Sequence, residues 1–355
     1  MSRLKILGVA FALLLALPGA LLANTVIRAP DTAKPLAARW QWALQQIDNS
    51  QCGGGCWIGY SIERRMDRDS YIGSWDTAAA AQPSLGEVIY GKRILPGMSA
   101  TDGKVLKQVA LLFRLDPHTH SVAAIEVSNL SRPVALHAPL VWLGSSRDGP
   151  SLDLIEKLYG ETHETAARKH LLMAIGLHDT RNLVVPFLGK VLNGQAGDEV
   201  RGAAAFWLGQ GGAKALKLLA HAARHDRSEA VREKAVFAIS LIESPAATDT
   251  LIDLAKGADN REIREKAVFW LAQQASKKAT AALMGIAQND RDVDVRKKAV
   301  FALSQLPVDQ GVPRLITIAN TSRNIEVRKQ AIFWLGQSGD PRAVAALAKL
   351  ARGRP

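Results

Sequence analysis

The chain has 355 residues, 45 Lys and Arg against 33 Asp and Glu for a formal charge of +12, with 48% apolar and 22% charged residues. It is long enough for more than one core and too apolar for a disordered chain. The basic excess suits acidic proteins, anionic lipid or nucleic acid. Nothing reads as a helix-turn-helix, zinc finger or RNA-binding sheet, so a nucleic-acid partner is not expected.

Residues 1–23 have the pattern of a signal peptide: Arg3 and Lys5, an apolar run from Ile6 to Leu17, then Pro18-Gly19 and small residues, with cleavage expected between Ala20 and Asn24. The run is shorter than the roughly 20 apolar residues of a membrane span. No Cys follows it to mark a lipoprotein. A periplasmic or secreted protein is expected, which further disfavours nucleic acid. Losing Arg3 and Lys5 lowers the formal charge from +12 to +10. A membrane surface suits that charge, but no amphipathic or anchoring segment indicates one.

Residues 24–150 read as a small α+β domain. A helix is expected over Ala33–Ile47, followed by β-type runs CWIGYSI, GEVIYGK, KVLKQVALLFRL, SVAAIEVS and LVWLG separated by turn signals. Both cysteines, Cys52 and Cys56, lie here in a CGGGC loop. In an exported chain a disulfide between them is expected, and the glycines free the backbone to close so small a ring. A redox pair is the functional alternative, although the Cys-x3-Cys spacing is not that of thioredoxin-like motifs. A metal site joining the cysteines to His118 and His120 has no sequence feature that brings the two pairs together.

Residues 151–355 repeat one phrase. VREKAVFAIS (231–240), IREKAVFWLA (263–272), VRKKAVFALS (295–304) and VRKQAIFWLG (327–336) are close copies; VRGAAAFWLG (200–209) is looser, and AARKHLLMAI, around Arg168, is degenerate. Their arginines, Arg201, Arg232, Arg264, Arg296 and Arg328, stand 31 or 32 residues apart. Such a period marks a stacked-repeat protein, whose units bury their apolar faces on one another. A second helical segment separates successive copies, as in LIDLAKGA (251–258) and RLITIAN (314–320). Each period then holds two helices, A followed by B, and residues 151–355 should form six pairs plus a terminal helix over Pro341–Ala351.

This pattern resembles the HEAT-repeat family in its short PBS-lyase-like form, carried in the best copy by Asp292, Val295, Arg296, Ala299 and Leu303. The resemblance implies a mainly α chain built on a right-handed α-solenoid, behind a small N-terminal β-containing domain. It implies a structural arginine ladder and a concave B-helix face that binds extended partners. Two groups of enzymes share this kind of repeat. Phycobilin lyases act on cytoplasmic phycobiliproteins, which an exported chain would not meet. Deoxyhypusine hydroxylases hold two irons on His-Glu pairs spread over several repeats, whereas the only His-Glu here is His163-Glu164. His221 and His225 share a helix face but have no evident third ligand. No Gly-x-Ser-x-Gly, phosphate loop or dinucleotide fingerprint occurs, and no cofactor or metal is expected.

Counting from the repeat arginine at about 100° per residue, positions −1, +3, +6 and +7 share the core side. Position +6 alternates Trp207, Ala238, Trp270, Ala302, Trp334, as if large and small side chains interdigitate. Position +5 is always Phe: Phe206, Phe237, Phe269, Phe301 and Phe333. It points away from the core, and Lys234, Lys266 and Lys298 at +2 and Gln210, Gln273, Gln305 and Gln337 at +9 join it. With helices packed 8–10 Å apart, five rungs draw a track on the order of 40 Å long. Either the rings lean into the inter-repeat core, or they stay exposed as an apolar anchor line for a helical or extended partner, for which the lysines favour an acidic one. The expected function is a non-catalytic protein-interaction scaffold of the cell envelope. The alternative is an envelope enzyme or redox protein whose site lies in residues 24–150, with the solenoid as docking arm.

Overall fold

The computed structural model describes residues 25–48, 55–73, 82–92, 94, 103–116, 118–274 and 276–353. The expected signal peptide and Cys52 lie outside them. The described residues divide into two compact units, one ending at Glu161 and the other beginning at Thr162.

The N-terminal unit is a five-stranded mixed sheet with helices on both faces. Its strands are β1 (Val26–Arg28), β2 (Trp57–Asp67), β3 (Lys104–Leu115), β4 (Val122–Asn129) and β5 (Leu140–Ser145), in the order β1-β5-β2-β3-β4. β1 and β2 flank β5 in parallel, and β2, β3 and β4 pair antiparallel, with Tyr60 opposite Leu111. Side chains alternate across the pleat. On one face Phe113 meets Trp40 of helix α1 (Leu36–Asp48) edge-on at 5.6 Å and stacks on Tyr60 at 5.9 Å. On the other, Ala110, Leu112, Leu140 and Trp142 pack with Leu85 and Ile89 of helix α2 (Leu85–Tyr90).

Three sequence expectations change here. GEVIYGK is helical, not β: Ser84 and Glu87 form a capping box, a local hydrogen-bonded start that outweighs the β propensity of Val-Ile-Tyr. Strand β1 was not foreseen, since three residues beside an expected leader carry little periodicity. The domain boundary falls at Glu161/Thr162 instead of 150/151, because helix α3 (Asp148–Glu161) packs within the N-terminal unit, where Ser151 shares a 2.8 Å hydrogen bond with Tyr60 of β2. Cys56 is fully buried just before β2.

The second unit is an α-solenoid of twelve helices among the described residues. The B helices are α4 (Thr165–Gly176), α6 (Asp198–Gly209), α8 (Glu229–Ser240), α10 (Arg261–Gln274), α12 (Val293–Ser304) and α14 (Ile325–Gln337). Between them run the A helices α5 (Arg181–Leu192), α7 (Leu216–His225), α9 (Pro245–Gly257), α11 (Lys277–Asn289), α13 (Val308–Thr321) and α15 (Pro341–Ala351). The unit therefore opens on a B helix. Each B helix packs on its flanking A helices and on the B helices before and after it. Positions −1, +3 and +7 form the core: Val295, Ala299 and Leu303 are fully buried, as are their equivalents in α8 and α10. Among the described residues no helix is long and apolar enough to cross a membrane.

Candidate partner-binding face

The B helices begin on polar turns that satisfy their first N–H groups. Asp292 accepts from the Asp294 amide, and Asn324 accepts from those of Glu326 and Val327. Acidic residues in the first turn, such as Glu229, Glu262, Asp294 and Glu326, suit the positive end of the helix dipole. The repeat arginine then folds back toward the turn. Arg264 Nε and Nη2 clasp Asp290 at 3.2 and 3.3 Å while Nη1 donates to the Ala258 carbonyl at 2.9 Å. Arg201 repeats this one double period earlier, with Asp226 at 3.3 and 3.0 Å. Burial pulls the Arg201 guanidinium down, but Asp226 and Asp198 outweigh it and the net direction is up. The ladder is structural, as the resemblance implied.

Sequence reasoning missed its two-repeat rhythm. The position six residues before the arginines of α8, α10, α12 and α14 reads Asp226, Ala258, Asp290, Ser322. In the other phase Arg232 and Arg296 have only Ala258 and Ser322 at the position where Arg201 and Arg264 have Asp226 and Asp290, and Arg232 donates instead to the Asp226 carbonyl at 2.8 Å. The signal was in the sequence, in phase with the Trp/Ala alternation at +6.

That alternation does not place tryptophan in the core. Ala238 and Ala302 are buried, but Trp207, Trp270 and Trp334 are half-buried, and the core arc is completed instead by Ala205, Val236, Val268 and Val300 at +4. A helix with neighbours on three sides buries a broader arc than one stripe. Each Trp reaches back to the preceding repeat: Trp270 to Phe237 at 5.0 Å and Trp334 to Phe301 at 5.2 Å between ring centroids. Trp207 lies over Gly176, where a Cβ would come within 2.4 Å of the indole. Only a glycine fits beneath that ring.

The phenylalanine track divides along the stack. Phe206 and Phe237 are half-buried and stack on each other at 6.3 Å with planes 20° apart. Phe269, Phe301 and Phe333 are exposed, at 48%, 37% and 54%. The first two rings are thus partly covered by their neighbours, and the last three face outward. Lys234, Lys266 and Lys298 and Gln273, Gln305 and Gln337 are exposed on the same helices. Lys234 sits 5.9 Å above the Phe237 ring, and Lys266 pairs with Glu233 of the previous repeat at 3.0 Å.

Between α10 and α12 the face opens into a cavity of about 580 Å³, lined by Phe269, Trp270, Gln273, Lys298, Phe301 and Ala302. Such a volume lies within the range of ligand pockets. It opens where position +6 is alanine; one rung on, Trp334 packs against one side of Phe301. The structure thus brings Phe269, Phe301, Lys266, Lys298, Gln273 and Gln305 together at one site, while Phe237 and Lys234 lie one rung earlier, Phe206 two rungs earlier, and Phe333 and Gln337 one rung later. The other histidine candidates gain nothing comparable. His221 and His225 lie with ring centroids 4.9 Å apart, and among the described residues no group of three His, Cys, Asp or Glu side chains that could hold a metal ion is present.

The family model for HEAT repeats matches residues 185–272, 249–316 and 280–355. No curated protein matches the chain in sequence. Among solved structures, the chain is similar to the complex of CpcE and CpcF of phycocyanin lyase from Nostoc sp. PCC7120, at 26% identity over 42% of this chain and 96% of that one, with a TM-score of 0.31. It is also similar to human deoxyhypusine hydroxylase, at 21% identity over 59% and 80% with a TM-score of 0.26. A third match is YibA of Escherichia coli, at 19% identity over 57% and 81% with a TM-score of 0.35. The repeat model and the in-register copies it covers place the chain's C-terminal unit in the HEAT-repeat family.

Proposed function

We propose that the protein is an exported scaffold of the cell envelope that binds another protein along its B-helix face. The observation that carries this reading is the exposure of Phe269, Phe301 and Phe333 on consecutive B helices. Aromatic rings held half in water on a rigid helix array are an anchor line that nothing within the repeat unit requires. The lysine and glutamine rows lie seven residues apart along each helix, roughly 10 Å at 1.5 Å per residue, about the diameter of one helix. One helix or extended segment laid across the B helices fits between the rows with its apolar side on the rings. Residues 162–355 hold 29 of the 45 Lys and Arg but only 19 of the 33 Asp and Glu, which favours an acidic partner.

Export rests on the pattern of residues 1–23. A mature protein recovered from the periplasm or medium should begin within residues 21–24, and a cytoplasmic protein retaining Met1 would refute export. In that compartment a Cys52–Cys56 disulfide is proposed, and the mass of the alkylated, unreduced protein tests it.

The binding reading is tested by passing an extract of the native envelope over the immobilised protein and over Phe269→Ser/Phe301→Ser/Phe333→Ser. The expected result is a protein retained by the wild type and lost by the variant, with the melting temperature shifted by only a few degrees. Equal retention by both would overturn the track as the binding face.

A further inference from the structure

The cavity at Ala302 is more specific than the track around it. Phe237 packs against Trp270 and Phe301 against Trp334, in each case the +6 indole of the following repeat. Phe269 has no such contact, because the following repeat carries Ala302, and the cavity occupies that place. The chain thus makes this contact at two rungs; Phe206, which also precedes an alanine, stacks on Phe237 instead, and Phe269 has neither contact from the following repeat. An incoming aromatic side chain would meet there a phenylalanine ring, as the protein's own Trp270 and Trp334 do at other rungs, with the buried Ala302 in the cavity wall. Ala302 is only 3% exposed, so the floor is already desolvated.

Charge narrows the occupant. Lys298 lines the cavity, and Lys266 stands at its edge, partly satisfied by Glu233. Glu265 also lines it but is engaged by Arg261 at 3.6 Å. Lys298 has no ion pair among the described residues within 4 Å, in a unit whose basic residues outnumber its acidic ones by 29 to 19. Gln273 and Gln305 offer neutral donors and acceptors at the opposite wall.

We infer that this cavity is the anchor subsite of the partner-binding face, taking one aromatic side chain of an acidic segment of another protein, with the segment's carboxylates toward Lys266 and Lys298. The inference rests on the proposed binding function but fails separately from it. Covered by a partner, the cavity would become the desolvated pocket in which interface energy concentrates, while the remaining rings supply contact area.

The test is selection of phage-displayed random dodecapeptides on the wild-type protein, followed by affinity measurement on variants. Peptides that are net acidic and carry one aromatic residue are expected. Ala302→Trp, which plugs the cavity with the side chain already present at +6 in three other repeats, should weaken them on the order of thirtyfold, the scale of losing a binding hot spot. Ala302→Leu half-fills the space and should give an intermediate loss, keeping the test open if the larger ring perturbs folding. Lys298→Glu should weaken the same peptides and flatten their salt dependence. If Ala302→Trp binds them as tightly as wild type while Phe269→Ser/Phe301→Ser/Phe333→Ser does not, the anchor subsite is wrong and the track stands. Peptides indifferent to all these variants, or no enrichment over an unrelated protein, would overturn both. Enriched peptides that are basic or lack an aromatic residue would overturn the subsite's stated chemistry.

Discussion

Arg264 and Asp290 form a two-pronged pair between successive repeats, at 3.2 and 3.3 Å, with side chains only 3% and 4% exposed. Both partners are committed further: Arg264 also donates to the Ala258 and Asp259 carbonyls, and Asp290 accepts from the Asp292 amide to shape the turn into α12. Removing one partner strands a buried charge. Arg264→Ala is therefore expected to destabilise the protein by about 3–5 kcal/mol, the scale for breaking a buried ion pair from one side. Arg264→Ala/Asp290→Ala should lose less than the sum of the two single changes. Urea titration of the four proteins checks this, and additivity would show that the pair is not coupled.

Arg232 occupies the same repeat position without a carboxylate opposite, because Ala258 stands where Asp226 and Asp290 stand in the alternate turns. Its guanidinium donates to the Asp226 carbonyl, and its Nε finds no partner. Arg232→Ala should cost only about 1.5–3 kcal/mol, the value of one charge-assisted hydrogen bond. The same titration measures it; a loss equal to that of Arg264→Ala would contradict the two-repeat rhythm.

The repeat architecture was legible because one signal recurred in register: arginine, then alanine three and leucine seven residues on. The outward direction of Phe269 and Phe333 followed from the same angle count. What that count could not supply is which rings a neighbour covers, since this depends on the indole of the next repeat and on Gly176 beneath Trp207. The cavity at Ala302 is a gap between helices, and its place in the sequence is marked only by a small residue that also reads as ordinary core. In the N-terminal unit the long strands β2 and β3 carried alternation enough to be read. The six residues of α2 did not, because their helix depends on the reciprocal hydrogen bonds of Ser84 and Glu87.

Asp340 caps the last helix and gives a pH dependence of known sign. It accepts from the Arg342 amide at 2.7 Å and pairs with the Arg342 guanidinium at 2.8 Å; chiefly through that side-chain bond, its carboxyl falls from the usual 3.8 to about 2. A depressed carboxylate contributes stability that is present above its unfolded value and lost as pH falls through the folded one. The contribution should be complete above about pH 4 and fade toward about pH 2. Hydrogen exchange within α15, corrected for the intrinsic rate, should show faster opening in Asp340→Asn than in wild type at neutral pH, with the two converging as the pH nears 2. A difference that persisted unchanged to pH 2 would mean the charge has no part in holding the helix.

Pairing across repeats also predicts how the array tolerates shortening. In a stack of this kind each repeat senses only its neighbours, so a deletion matters both by what it removes and by the new junction it makes. Excising residues 261–324 joins Asn260 to Ile325, which brings α14 behind α9 and sets Trp334 against Phe237 in the place Trp270 held. Excising only residues 261–292 joins Asn260 to Val293 and sets Ala302 against Phe237, leaving that ring uncovered. If repeats were interchangeable, the longer deletion would cost twice the shorter. The alternation of Trp and Ala makes it cost less than twice, and it makes Ala302→Trp stabilise the 261–292 deletion by about 1–2 kcal/mol, the scale of an aromatic pair with its buried area. Urea titration of both deletions, each with and without Ala302→Trp, separates the two accounts: a twofold ratio with no rescue would show that the junction between repeats is indifferent to its aromatic partner.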